Sequence, residues 1–294
     1  MDEWGLTYRI PRDGADWYDL AASPLAGGEL TRERIDAHRW PRGDDPELLG
    51  GLREEALAHR EAGYAVVLKS LCAGPFEMAQ RLRGMEAFLM DLATFPGEAG
   101  HLLDRVLGVK LAYWQAALAA LGDVVDVVAE GDDYGTQQSM LVSPATFRSV
   151  FKPRLAELLR ELKKGAPDAF VFFHSCGSVR TILPDFIEIG VEVLNPVQTT
   201  AAGMEPRALK REFGSEIAFW GGGVETQEIL PRGTPAEVAD DVRRNLDALS
   251  PGGGYVFGAV HNIQADVPAE NVLAMVDALR AHSGRPSLPR SEGS

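Results

Sequence analysis

Only two cysteines, Cys72 and Cys176, occur in 294 residues. Two thiols do not make a disulfide scaffold at this length, so a reducing cytoplasm is the expected compartment. Long apolar runs are also missing, and nothing approaches the roughly 20 residues that cross a bilayer. Cations are scarce. Lys and Arg number 29 against 43 Asp and Glu, a formal net charge of -14. That balance argues against nonspecific nucleic-acid binding and against an anionic membrane surface. Neither GxGxxG nor GxxxxGK[ST] is present, so a nucleotide-binding open sheet has no support. The first residues, Met1-Asp2-Glu3-Trp4-Gly5, are acidic and short of apolar side chains, unlike a secretory signal.

The chain does have enough apolar residues, 45%, for one large core. A single domain is expected over residues 1–282, with an irregular first fifty residues and a disordered tail at 283–294. From Glu47 onward strands and helices alternate. Strand patterns fall at 64–68, 124–128, 169–173, 191–195, 217–220 and 255–259, with helical spacing between them. This rhythm predicts a parallel sheet. The fold class expected is α/β, a TIM-type (β/α)8 barrel. Six strands are legible where a closed barrel has eight, so the first one or two are expected to be absent. Open strand edges would favour a homo-oligomer.

The chemistry collects where strands end and helices begin, the edge that carries the chemistry of α/β barrels. The apolar run Ala169–Phe173 leads into His174-Ser175-Cys176-Gly177-Ser178. An imidazole and a thiol two residues apart suit zinc, although the same pair can simply cap a strand and pack inward. Glu130, Asp132 and Asp133 follow the strand at 124–128. Three carboxylates sharing one pocket cannot all ionise cheaply, which makes them candidates for acid, base or cation-holding roles; a solvated acidic loop is the alternative. Tyr134, Gln137, Asn195, Gln198 and Asn262 are candidate substrate contacts at the same edge.

The chain resembles the uroporphyrinogen decarboxylase superfamily, and within it the branch of zinc-dependent corrinoid methyltransferases. The matching segments are Asp2–Gly5, Glu130–Gln137, His174–Ser178, Leu194–Gln198, Phe219–Gly222 and Val260–Gln264. The resemblance implies an α/β barrel. It implies Zn2+ held by His174 and Cys176, with His261 where the family has a third ligand, a cysteine. The decarboxylases also carry a histidine near that position, facing substrate. The function implied is transfer of a methyl group between a corrinoid carrier, as methylcobalamin or a corrinoid protein partner, and a small thiol-type acceptor. Asp132 or Asp133 would handle protons. Two rivals stand beside it: tetrapyrrole decarboxylation, for which Lys69, Arg83 and Arg180 are the candidate cations, and an inactive barrel acting by association.

Overall fold

The computed structural model describes residues 1–11 and 18–288. Of the tail expected at 283–294, residues 289–294 lie outside the described residues. Inside the first fifty residues stand two short antiparallel strands, β1 (Thr7–Arg9) and β2 (Asp19–Ala22), and helix α1 (Arg32–Asp36). The alternation then begins. Its strands are β3 (Val67–Lys69), β4 (Val127–Gly131), β5 (Phe170–His174), β6 (Val193–Asn195), β7 (Ala218–Trp220) and β8 (Tyr255–Val256). They form a six-stranded parallel sheet in chain order. This is the α/β class expected from the sequence.

The helices are α2 (Leu52–Glu61), α3 (Pro75–Arg83), α4 (Met85–Thr94), α5 (Pro96–Leu121), α6 (Pro144–Thr146) and α7 (Lys152–Gly165). After them come α8 (Leu183–Glu188), α9 (Pro206–Phe213), α10 (Ile229–Arg232), α11 (Pro235–Leu249) and α12 (Ala269–His282). Among the described residues no helix is long and apolar enough to cross a membrane. Helix α11 starts where its caps dictate. Thr234 accepts from the Glu237 N–H, the Glu237 carboxylate accepts from the Thr234 N–H, and Pro235 needs no partner at the first turn. The helix expected over 143–164 is instead α6, a π-helical turn at Phe147–Phe151, and α7. Pro153 explains the break: it has no N–H to give the Ser149 carbonyl, and a wider turn absorbs the mismatch.

By packing, the chain divides into two compact units. The first comprises Met1–Asp133, Val142–His174 and Glu188–Val191; the second comprises Tyr134–Leu141, Ser175–Ile187 and Glu192–Ser294. The first is cored by Phe76, Phe88, Trp114, Phe151 and Phe173, all fully buried. Within it, β4 pairs with β5 from Val127↔Phe170 to Gly131↔His174. That register brings the residues just after β4 level with His174. The second is cored by Val224, Leu230, Val238, Val242, Leu246, Met275 and Ala278.

Candidate active site

The three carboxylates after the strand at 124–128 have three different surroundings. Glu130 is fully buried and pairs with Lys110 Nζ at 3.0 Å. Its Oε1 also accepts from Ser70 Oγ at 2.9 Å and from Trp114 Nε1. Lys110, on the apolar face of α5, further donates to the carbonyls of Cys72 and Ala73, both at 3.1 Å. Burial is the largest single influence and works against the Lys110 ammonium. The negative charge of Glu130, with the smaller effects of Cys72, Asp132 and the hydrogen bond to Glu130, together outweigh it and hold the lysine above its ordinary pKa. This pair ties α5 and the β3–α3 loop to β4. Lys110 was missed in the sequence, where it falls in step with the buried Val106, Tyr113 and Trp114.

Asp132 is also buried, and it accepts from the N–H groups of Phe76 at 2.9 Å and Glu77 at 2.8 Å. These are orphan donors at the start of α3, so Asp132 caps that helix from across the sheet edge. The approach is close enough that a Cβ on Gly74 would lie 2.2 Å from the Asp132 side chain. The oxygens of Glu130 and Asp132, both expected as catalytic candidates, are engaged in holding the frame. An Asp132→Ala variant is expected to lose about 1–2 kcal/mol of stability; an unchanged urea midpoint would refute the capping role.

Asp133 differs. Its Oδ1 lies 3.6 Å from His174 Nε2. Cys176 is held two residues further along by the chain itself, and one ligand atom from each of Asp133, His174 and Cys176 lies within 4.8 Å of the others. A carboxylate oxygen, an imidazole nitrogen and a thiolate are the donors zinc takes, and 3.6 Å is near the separation of two donors on one tetrahedral ion with bonds of about 2 Å. The donor set therefore fits zinc. All three residues are half-buried, which leaves an approach open. Glu77, a carboxyl the sequence reading passed over, stands above the usual carboxylate range, chiefly through burial and next through the charge of Asp133.

His261 is outside this cluster. It lines a cavity of about 470 Å³ together with Cys176, Gln198, Asn262, Thr200 and Gln227. Of the expected substrate contacts, Gln198 and Asn262 thus share a cavity with Cys176. Gln137 joins them through Gln198 Nε2, which donates to Gln137 Oε1 at 2.6 Å. Tyr134 and Asn195 are placed otherwise. Tyr134 is only 1% exposed and packs on Phe186. Asn195 donates to the Trp220 carbonyl at 2.8 Å, tying β6 to β7. The loop carrying Cys176 is fixed at Gly177, whose φ is +83° and where a Cβ would lie 2.4 Å from the Gly135 carbonyl carbon. Only glycine fits there.

The two thiols are unlike. Burial pushes the Cys72 thiol up to about 11, whereas Cys176 lines the cavity. In chelator-treated native protein at pH 8, iodoacetamide is expected to alkylate Cys176 and spare Cys72; peptide mass spectrometry showing equal labelling would contradict this.

The family model for Uroporphyrinogen decarboxylase (URO-D) matches residues 30–282. The chain belongs to the URO-D family. A uroporphyrinogen decarboxylase of Coxiella burnetii is 25% identical over 286 residues, covering 93% of this chain and 75% of that protein. The Anaeromyxobacter dehalogenans uroporphyrinogen decarboxylase is 25% identical over 266 residues, covering 85% of this chain and 68% of its own length. Among solved structures, a methyltransferase from Methanosarcina mazei superposes with a TM-score of 0.67 at 20% identity, covering 96% of this chain and 77% of that one. At that identity the likeness speaks for the fold. Membership of the URO-D family places this chain in an enzyme family.

Proposed function

We propose that this URO-D family chain is a zinc-dependent methyltransferase that moves a methyl group between a corrinoid carrier and a small thiol-type acceptor. The observation that carries the reading is the Asp133–His174–Cys176 cluster, with Cys176 also lining a cavity of small-molecule size. Bound zinc would favour the thiolate form of an acceptor thiol near neutral pH. Asp133, His174 and Cys176 would hold the ion, and His261, on the cavity wall, would face the acceptor. Gln198 and Asn262 would orient the acceptor. A corrinoid carrier would supply the methyl group to the acceptor sulfur held there. The soluble, cytoplasmic setting and a corrinoid protein partner belong to the same proposal.

The names of the curated relatives favour a second reading, decarboxylation of a tetrapyrrole. That reaction needs cations for several carboxylates. Among the described residues, no Lys or Arg lines the Cys176 cavity. Of the basic groups the sequence offered, Arg83 is committed to Asp91 at 2.7 Å, and Arg180 to Glu212. Arg39 and Arg42 do line a larger cavity of about 820 Å³ in the first unit, but beside Asp2, Glu3 and Asp45. One experiment separates the readings: zinc-loaded protein is given methylcobalamin with a small thiol, and uroporphyrinogen in a parallel assay. Thiol-dependent demethylation seen by cobalamin absorbance, and abolished in Cys176→Ala, is the expected result. Decarboxylation without demethylation would favour the rival.

A further inference from the structure

The Cys176 cavity carries a chain of side-chain amides whose direction is fixed at one end. The Gly177 N–H donates to Gln198 Oε1 at 2.7 Å. A backbone N–H can only donate, so it sets which way the Gln198 amide faces. Gln198 Nε2 then donates to Gln137 Oε1 at 2.6 Å. Gln137 Nε2 in turn donates to Thr200 Oγ1 at 3.2 Å and to Gln227 Oε1. The Gln137 main chain is itself anchored, its carbonyl accepting from the Ala202 N–H at 2.9 Å. Every amide in the relay therefore points the same way. At its far end the Gln227 –NH2 and the Thr200 hydroxyl are both left as donors, and both residues line the cavity.

The charge of the lining narrows the choice. Among the described residues, no Lys or Arg lines this cavity. Its one carboxylate, Glu225, accepts from the N–H groups of Gln227 at 2.6 Å, Glu228 at 2.8 Å and Ile229 at 2.9 Å. An anionic tail would meet no lysine or arginine on this wall and would lie beside a fixed negative charge. A neutral oxygen with lone pairs would meet two oriented donors and lose no charge hydration.

We infer that the Gly177–Gln198–Gln137–Gln227 relay selects a small acceptor molecule bearing an uncharged hydrogen-bond-accepting tail, an ether, carbonyl or hydroxyl oxygen, and rejects carboxylate and sulfonate tails. The inference names the acceptor class for the site described above and rests on that reading for the role of the cavity. The relay also explains why the position takes glutamine. In a Gln198→Glu variant one carboxylate oxygen still accepts from Gly177, but the other faces Gln137 as an acceptor. The Gln137 amide must turn, Gln227 must turn with it, and the cavity is then offered a carbonyl instead of a donor.

The test uses the full chain, isotopically labelled, and reads the Gln227 side-chain amide signal by NMR. The probes are 1,2-dimethoxyethane, a neutral acceptor, and propanoate, an anion of similar size. Saturable shifts that give dimethoxyethane at least about a tenfold advantage are expected, the scale set by one hydrogen bond against an unpaired anion. The advantage should fall to about parity in Gln198→Glu. A second variant, Gln227→Ala at an exposed position, should weaken dimethoxyethane binding several-fold, followed on the Gln198 amide signal. Equal binding of the probes, tighter propanoate, or no binding of either would overturn the inference. The parallel readout is the increase, on adding 2-methoxyethanethiol, in the thiolate-to-metal absorption that Cys176 already gives the cobalt-substituted protein. No increase would count against the zinc–thiol reading alone, because the amide shifts do not depend on a metal.

Discussion

Replacing Cys176 with alanine is expected to lower zinc affinity by more than about 100-fold, beyond what loss of an outer hydrogen-bond partner costs a metal site. The thiolate is the one soft donor in the Asp133–His174–Cys176 group. Without it an imidazole and a carboxylate remain, a pair that holds a divalent ion weakly. The substitution leaves the fold alone: Cys176 is half-buried, beside a cavity rather than in the core. The expected signature is thus loss of metal with an unchanged urea midpoint for the metal-free protein. Competition with a chromophoric chelator measures the first, and denaturant titration the second. A variant that keeps its zinc at wild-type affinity would mean that the metal, if any, sits elsewhere.

The second large effect lies in the first unit. Lys110→Met is expected to destabilise the protein by about 3–5 kcal/mol, the usual cost of stranding one partner of a buried ion pair. Both side chains are essentially inaccessible, at 0% and 1%. Removing the ammonium leaves the Glu130 carboxylate with neutral donors, Ser70, Trp114 and the Gly131 N–H, and frees the carbonyls of Cys72 and Ala73. Adding Glu130→Gln should restore most of the loss, because no charge is then left buried. A double variant as unstable as the single one would contradict this account. The pH dependence has a definite sign. The Lys110 pKa is raised above its ordinary value of 10.5, so the pair's contribution is fully present at neutral pH. It is lost only as pH climbs through the alkaline range where the folded-state lysine deprotonates.

The fold was legible because its signals are local. Helices α9 and α11 carry their own punctuation, Glu205-Pro206 and Thr234-Pro235 with Glu237, and both begin where those residues indicate. Strand ends were less legible. The run at 124–128 marked a strand that the structure places at Val127–Gly131. Val124 and Val125 are buried without joining the ladder, and Glu130 and Gly131 join it although polar or small. Apolar runs report burial, and burial at the foot of a strand begins before pairing does.

The candidate site was half legible for a related reason. His174 and Cys176 are two residues apart, so the chain alone keeps them together. Asp133 as their companion depends on the pairing of Gly131 with His174, 43 positions apart in the chain, which no local pattern encodes. Glu130 and Asp132 looked equivalent to Asp133 in the sequence. What separates them is Lys110 on α5 and the N–H groups at the start of α3, both more than a dozen residues away in the chain. The amide relay was visible only in part: Gln137 and Gln198 stood out at strand ends, while Thr200 and Gln227 sit in loops with no spacing to mark them.

The central claim is that His174, Cys176 and Asp133 hold zinc. X-ray absorption at the zinc edge of the purified, zinc-loaded protein tests it most directly. The account predicts about one zinc per chain with a single sulfur ligand near 2.3 Å and the remaining ligands nitrogen or oxygen. Zinc bound only by nitrogen and oxygen, or a folded protein that takes up no zinc, would contradict it.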